Sequence, residues 1–198
     1  MLLLSILYLC FLGVLFNALE YHFEHLHVEK LGQFREIIMT IAVASLYSAY
    51  HILFNHQQSQ GATSNITSLI AFVFYIASLS LYYWTWTTTS PSNLPGNGRL
   101  AIIFARTKPK YVLSTGPFAY LRHPTYASYF LGWLAVVIHT RSLFLVALLA
   151  AMAGFFESAA RLEERQFMGP NVDEKVAKEY DTYRRQTGKW IPKHLLWI

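Results

Sequence analysis

The residues with the means to do chemistry fall into two short stretches: Arg122-His123-Pro124-Thr125-Tyr126, and a later group of Glu157, Arg161, Glu163, Glu164 and Arg165. Pro124 suits the first turn of a helix, where a missing N–H costs nothing. Arg122 and His123 then stand at a helix mouth, whose free N–H groups and positive dipole end favour a carboxylate or phosphate. The plainer alternative is that Arg122 anchors the helix at lipid headgroups. In the second group, side chains at i and i+1 point in different directions on a helix. One of Glu163 and Glu164 is therefore expected to face a pocket and the other to be solvated. A third polar cluster, His22, Glu24, His25 and His27, lacks an H-E-x-x-H pair and repeated multi-histidine boxes. It reads as a solvated interfacial loop, and no metal is expected. The single cysteine, Cys10, excludes a disulfide framework and a cysteine zinc site.

The elements that position these groups are written in the composition. Of 198 residues, 54% are apolar and only 14% charged, against about 25% charged in an ordinary soluble domain. With a mean hydropathy of +0.30, the chain lacks the polar residues to coat a water-facing surface. Disorder, a collagen-like rod and a nucleic-acid-binding domain are excluded on the same ground, despite a pI near 9.3. A spanning helix needs about 20 predominantly apolar residues. Residues 2–19, 37–54 and 66–86 qualify, the first having no preceding Lys or Arg and no clear small-residue cleavage site to make it a signal peptide. Residues 126–138 and 143–156 are shorter and separated only by His139-Thr140-Arg141-Ser142, which predicts a helical hairpin. No internal repeat or low-complexity segment stands out.

Lys and Arg counted between the helices give the orientation. With five spans, residues 20–36, 87–125 and those beyond 157 share a side and collect fifteen of the sixteen basic residues. That side is expected to be cytosolic and to carry the C-terminus. Asn65-Ile66-Thr67 is a formal glycosylation sequon, but it abuts the third helix and is not expected to be used. Val172, Val176, Tyr180 and Tyr183 recur at helical spacing among Lys175, Lys178, Asp181 and Arg184. They predict an amphipathic helix whose tyrosines pack. The expectation is one all-α membrane domain over 1–198. Residues 1–86 would hold three transmembrane helices, and 87–198 a core with a hairpin at 124–164 and a cytosolic C-terminal helix.

The string Gly116-Pro117-Phe118-Ala119-Tyr120-Leu121-Arg122-His123-Pro124-Thr125-Tyr126, an apolar hairpin, Glu163-Glu164, and a Tyr180-x-x-Tyr183 helix ending near Pro192 together resemble the isoprenylcysteine carboxyl methyltransferase family. The resemblance covers about residues 87–198. It implies an endoplasmic reticulum enzyme that uses S-adenosylmethionine (SAM) to methylate the C-terminal carboxylate of prenylated cysteine, with membrane lipid as its surroundings and no nucleic-acid partner. By the same resemblance, Lys110, Tyr111, Val112 and Leu113 in a strand-like entry, then Phe118, His123, Pro124, Thr125, Tyr126 and Glu163 contact SAM. Phe118 stands where a tyrosine is usual. The family's substrate-facing arginine falls on Ala159, so Arg161 is the nearest substitute and Arg165 the second. Arg161 and Glu163 are the expected catalytic pair.

A carboxylate acceptor is ionised near pH 7 and needs no general base, so positioning and desolvation suffice. A guanidinium matches it geometrically, and Tyr111, Phe118 and Tyr126 can pack on adenine or near the sulfonium. Three other functions remain open. Phospholipid N-methylation needs a base, His123 or a Glu. An NADPH-dependent lipid or sterol reductase would want more clustered basic residues than Arg106, Lys108 and Lys110. A catalytically inactive membrane paralogue is the third.

Overall fold

The computed structural model describes residues 65–89 and 111–195. The expected spans at 2–19 and 37–54, the His22 cluster and Lys110 lie outside the described residues. Within the described residues the regular structure is helical. Four α-helices occur, α1 (Asn65–Thr88), α2 (Pro124–Thr140), α3 (Leu143–Phe167) and α4 (Glu174–Gln186), with short 3-10 turns at Gly116–Ala119 and Lys193–Leu195. Backbone pairing outside helices is a single parallel bridge, Leu121 to Gly188. Tyr111–Leu113, expected to be strand-like, are irregular.

Helices α1 and α3 are long and apolar enough to cross a membrane. At 25 residues α3 extends about 37 Å, beyond the ~30 Å hydrocarbon core. Its last turns carry the charged residues Arg161 to Arg165. Helix α2 has 17 residues, fewer than the ~20 a span needs. Along α1 the apolar side chains of Ile66, Leu69 and Val73 are exposed, which suits a lipid-facing helix rather than a soluble core. Its threonines satisfy themselves: Thr85, Thr88 and Thr89 each donate to the carbonyl four residues back, at 2.7–2.9 Å, so none presents a bare hydroxyl to hydrocarbon.

The described residues fall into two compact units. The first comprises 65–79 and 129–152. Its buried side chains are almost wholly apolar or aromatic: Ala71, Tyr75, Trp133, Val136, Leu145, Leu149 and Met152. The connection between α2 and α3 is tighter than the expected tetrapeptide, because α2 continues through Thr140 and only Arg141 and Ser142 lie outside helix. Arg141 makes this turn in the left-handed region, at φ 54°, and its Nη2 donates to Thr67 Oγ1 at 3.0 Å.

The second unit comprises 80–89, 111–128 and 153–195. Helix α3 stops at Phe167 before Gly169-Pro170-Asn171, and Asp173 opens α4 by accepting from the Lys175 backbone N–H at 2.8 Å. Val176, Tyr180 and Tyr183 are buried on one face of α4, as their spacing predicts, while Val172 lies ahead of the helix. Tyr180 stacks on Phe167 with ring centroids 4.2 Å apart. Tyr183 Oη donates to the Phe118 carbonyl at 2.6 Å, and burial pushes both phenols' pKa values up, keeping them protonated. Gly116 is required twice over: its φ is +58°, and a Cβ there would lie 2.5 Å from Thr88 Oγ1. This close approach brings the turn before Arg122 against the end of α1.

Candidate functional site

Helix α2 begins at Pro124, as the sequence predicts, and His123 immediately precedes it, 8% exposed. The His123 ring lies between two carboxylates of α3. Nε2 is 3.1 Å from Glu164 Oε1, and Nδ1 is 3.3 Å from Glu163 Oε2. The expectation that only one of these glutamates faces inward is therefore corrected. Consecutive side chains diverge by about 100° around a helix, but an imidazole has nitrogens on two edges. Placed between them, His123 engages both. Burial pulls the His123 pKa down, while hydrogen bonds and charge from Glu163 and Glu164 together outweigh it and raise the pKa above the usual value. Each ring nitrogen thus lies within reach of a carboxylate oxygen.

Tyr126, one turn into α2, donates from Oη to Glu163 Oε1 at 2.5 Å. Its ring stacks on His123 at 5.7 Å and on Phe156 at 5.3 Å. Trp190 adds a fourth ring, 5.8 Å from His123 and 6.1 Å from Tyr126. The result is an aromatic wall with two carboxylates set into it.

Arg122 is engaged within the protein. Its Nε donates to Glu164 Oε1 at 3.0 Å, and Nη1 reaches the carbonyls of Arg184 at 3.0 Å and Thr187 at 2.6 Å. One guanidinium thus joins the mouth of α2, the polar end of α3 and the C-terminal end of α4. The Arg122 backbone N–H also donates to the Gly188 carbonyl at 2.8 Å, which seats the segment leading to Trp190.

Of the residues named from sequence, His123, Tyr126 and Glu163 come together here. Pro124 and Thr125 are buried at the start of α2, and the Thr125 carbonyl accepts from Ser128 Oγ at 2.6 Å. Phe118 is tied to α4 through its carbonyl, and Tyr111, Val112 and Leu113 are half-buried ahead of it. Arg161 is 66% exposed and pairs with Glu157 at 2.7 Å; Arg165 is exposed. Each lies two positions from Glu163, about 200° around the helix, but Arg161 is three from Glu164, a neighbouring position on the same face, and its partner Glu157 also holds Trp190. The residue that would align with the substrate arginine, Ala159, is buried at 1% exposure. Sequence reasoning passed over Glu164, Glu157 and Trp190 as site residues. The only signal for them was local: a carboxylate where the apolar run of α3 ends, and a tryptophan two residues before Pro192.

The site sets aromatic rings and two carboxylates at the charged end of α3, a helix long and apolar enough to cross a membrane. Residues 69–171, just over half the chain, match the phospholipid methyltransferase family, and the chain belongs to it. It is a membrane methyltransferase, of the superfamily that also holds the isoprenylcysteine carboxyl methyltransferases; such enzymes normally use SAM. Comparisons with curated proteins and with solved structures return no match.

Proposed function

We propose that the protein transfers a methyl group from SAM to the carboxylate of a lipid-linked acceptor, prenylated cysteine being the leading candidate, at the cytosolic face of the endoplasmic reticulum membrane. The observation that carries this reading is the state of His123. Both its ring nitrogens are taken up by carboxylates, Nδ1 by Glu163 and Nε2 by Glu164, which leaves neither to take a proton from an amine. An amine acceptor must lose a proton before it attacks, whereas a carboxylate arrives ionised.

The residues fit the donor. SAM supplies an electrophilic methyl on a sulfonium cation, and carboxylates beside aromatic faces suit a cation. In this reading Glu163 and Tyr126 hold the cationic side of the donor, with Phe118 and the segment 110–113 along the adenosine. His123 fixes the direction of both carboxylates, and the rings of Tyr126 and Phe156 exclude water from the reacting atoms. Arg161, exposed on α3 and paired with the Glu157 that also holds Trp190, and Arg165 one turn on, are the guanidiniums offered to the acceptor carboxylate.

A second reading, methylation of a phospholipid amine, draws on the printed description of the matched family and on the two carboxylates that would attract an ammonium group. Purified protein given methyl-labelled SAM with N-acetyl-farnesylcysteine and phosphatidylethanolamine together separates the two. Label in the prenylcysteine ester is expected. Label in the phospholipid alone overturns the carboxylate reading, and label in neither overturns both.

A further inference from the structure

Trp190 stands sixty-four residues after Tyr126 in sequence, and nothing in the motifs around Arg122 or Glu163 points to it. Its backbone is pinned just upstream by the Arg122 N–H to Gly188 carbonyl bond. Its indole Nε1 donates to Glu157 Oε2 at 2.8 Å. The other oxygen of Glu157 accepts from Lys189 Nζ and from Arg161 Nε, both at 2.7 Å. Glu157 therefore spends one oxygen on fixing the carboxylate and the other on orienting the indole. With its one polar atom satisfied, the remainder of the indole is an apolar face, turned toward His123 and Tyr126. The ring is half-buried, so part of its surface stays open beside these two site residues.

We infer that Trp190 is a wall of the donor site, contacting bound SAM, and that Glu157 is a positioning residue that acts through the Trp190 indole. The inference rests on the methyltransferase reading above and adds two residues to it. The segment 188–190 would then complete the site beside His123 and Tyr126.

The test uses the full chain in detergent micelles, titrated with S-adenosylhomocysteine and read by tryptophan fluorescence and by calorimetry. Titration is expected to change the fluorescence of the parent, and Trp190→Phe to remove that change. Trp190→Ala weakens Kd about tenfold, the scale of losing one aromatic stacking contact. Glu157→Ala weakens binding less, and Glu157→Gln, which keeps an acceptor for Nε1, restores part of the loss. Combined with Trp190→Ala, Glu157→Ala adds nothing further, because its effect runs through the missing ring. Should Trp190→Ala not fold, Trp190→Phe and the Glu157 pair carry the test. A parent that binds while the Trp190 variants keep both its affinity and its fluorescence change overturns this inference alone. A parent that does not bind S-adenosylhomocysteine overturns the methyltransferase reading and this inference with it.

Discussion

In residues 65–79 and 129–152, what is buried is mostly apolar surface, with Thr140 donating to the carbonyl one turn back and Arg141 to Thr67. In residues 111–128 and 153–195, by contrast, individual atoms are matched across long stretches of sequence: Arg122 to Thr187, His123 to Glu164, Tyr183 to Phe118. The first region is held by area, which is non-directional and tolerates exchange of one apolar side chain for another of like volume. The second is held by geometry, where removing one partner strands the other. The lesson is that the same helices serve as solvent-like scaffold in one stretch and as an exact lattice of donors and acceptors in the other.

The strongest way to break this comparison is Arg122→Ala. It leaves Glu164 with His123 alone and two carbonyls without this donor in a half-buried setting, and should cost about 3 kcal/mol, seen as a lowered Tm in detergent together with loss of methyl transfer. Arg122→Lys should not rescue it, since an ammonium lacks the fork that serves three acceptors. Next is Gly188→Ala. A Cβ there would sit 1.7 Å from the Ile191 carbonyl oxygen, so the backbone must move, at a cost of about 2 kcal/mol by the same thermal measurement.

The pH dependence sharpens the contrast further. The folded-state pKa of His123 is raised, so its contribution to stability is fully present below the unfolded value of about 6.5. That contribution is lost as pH rises through the higher folded value. Tm followed upward from pH 6 should fall in the parent and lose this component of the slope in His123→Gln. A smaller effect is expected of Leu149→Met in the apolar region, about 1 kcal/mol or less because volume is conserved. Smallest is Arg161→Ala. An exposed i,i+4 pair contributes less than about 0.5 kcal/mol, and a larger drop in Tm would show that the exposed flank is more than scaffold.

Much of the scaffold was legible from the chain alone. The apolar run at 66–86 became α1 with two residues' difference at its end, Pro124 opened its helix, and the tyrosine spacing named the buried face of α4. These features depend on local periodicity and on proline's missing N–H, which a sequence displays directly. The site was legible only in part. Helical spacing correctly separates Glu163 from Arg161, yet pairing them as catalytic partners followed the family resemblance instead. Spacing also sets Glu163 apart from Glu164, and there it misled. A third group from another helix, His123, decides whether two diverging side chains share a function. Trp190 and Glu157 meet only in three dimensions, so nothing in their own neighbourhoods announced them.

The bonds of Arg122 have a consequence for the order of events during synthesis. Its carbonyl partners lie 62 and 65 residues further along the chain. At the ordinary pace of translation, about 5–20 residues per second, the guanidinium waits several seconds at the ribosome exit before those acceptors are made. A nascent chain halted between the two hairpin helices and the final helix would carry an unfinished pocket. The Arg122 junction is thereby completed only once Thr187, just past α4, has emerged.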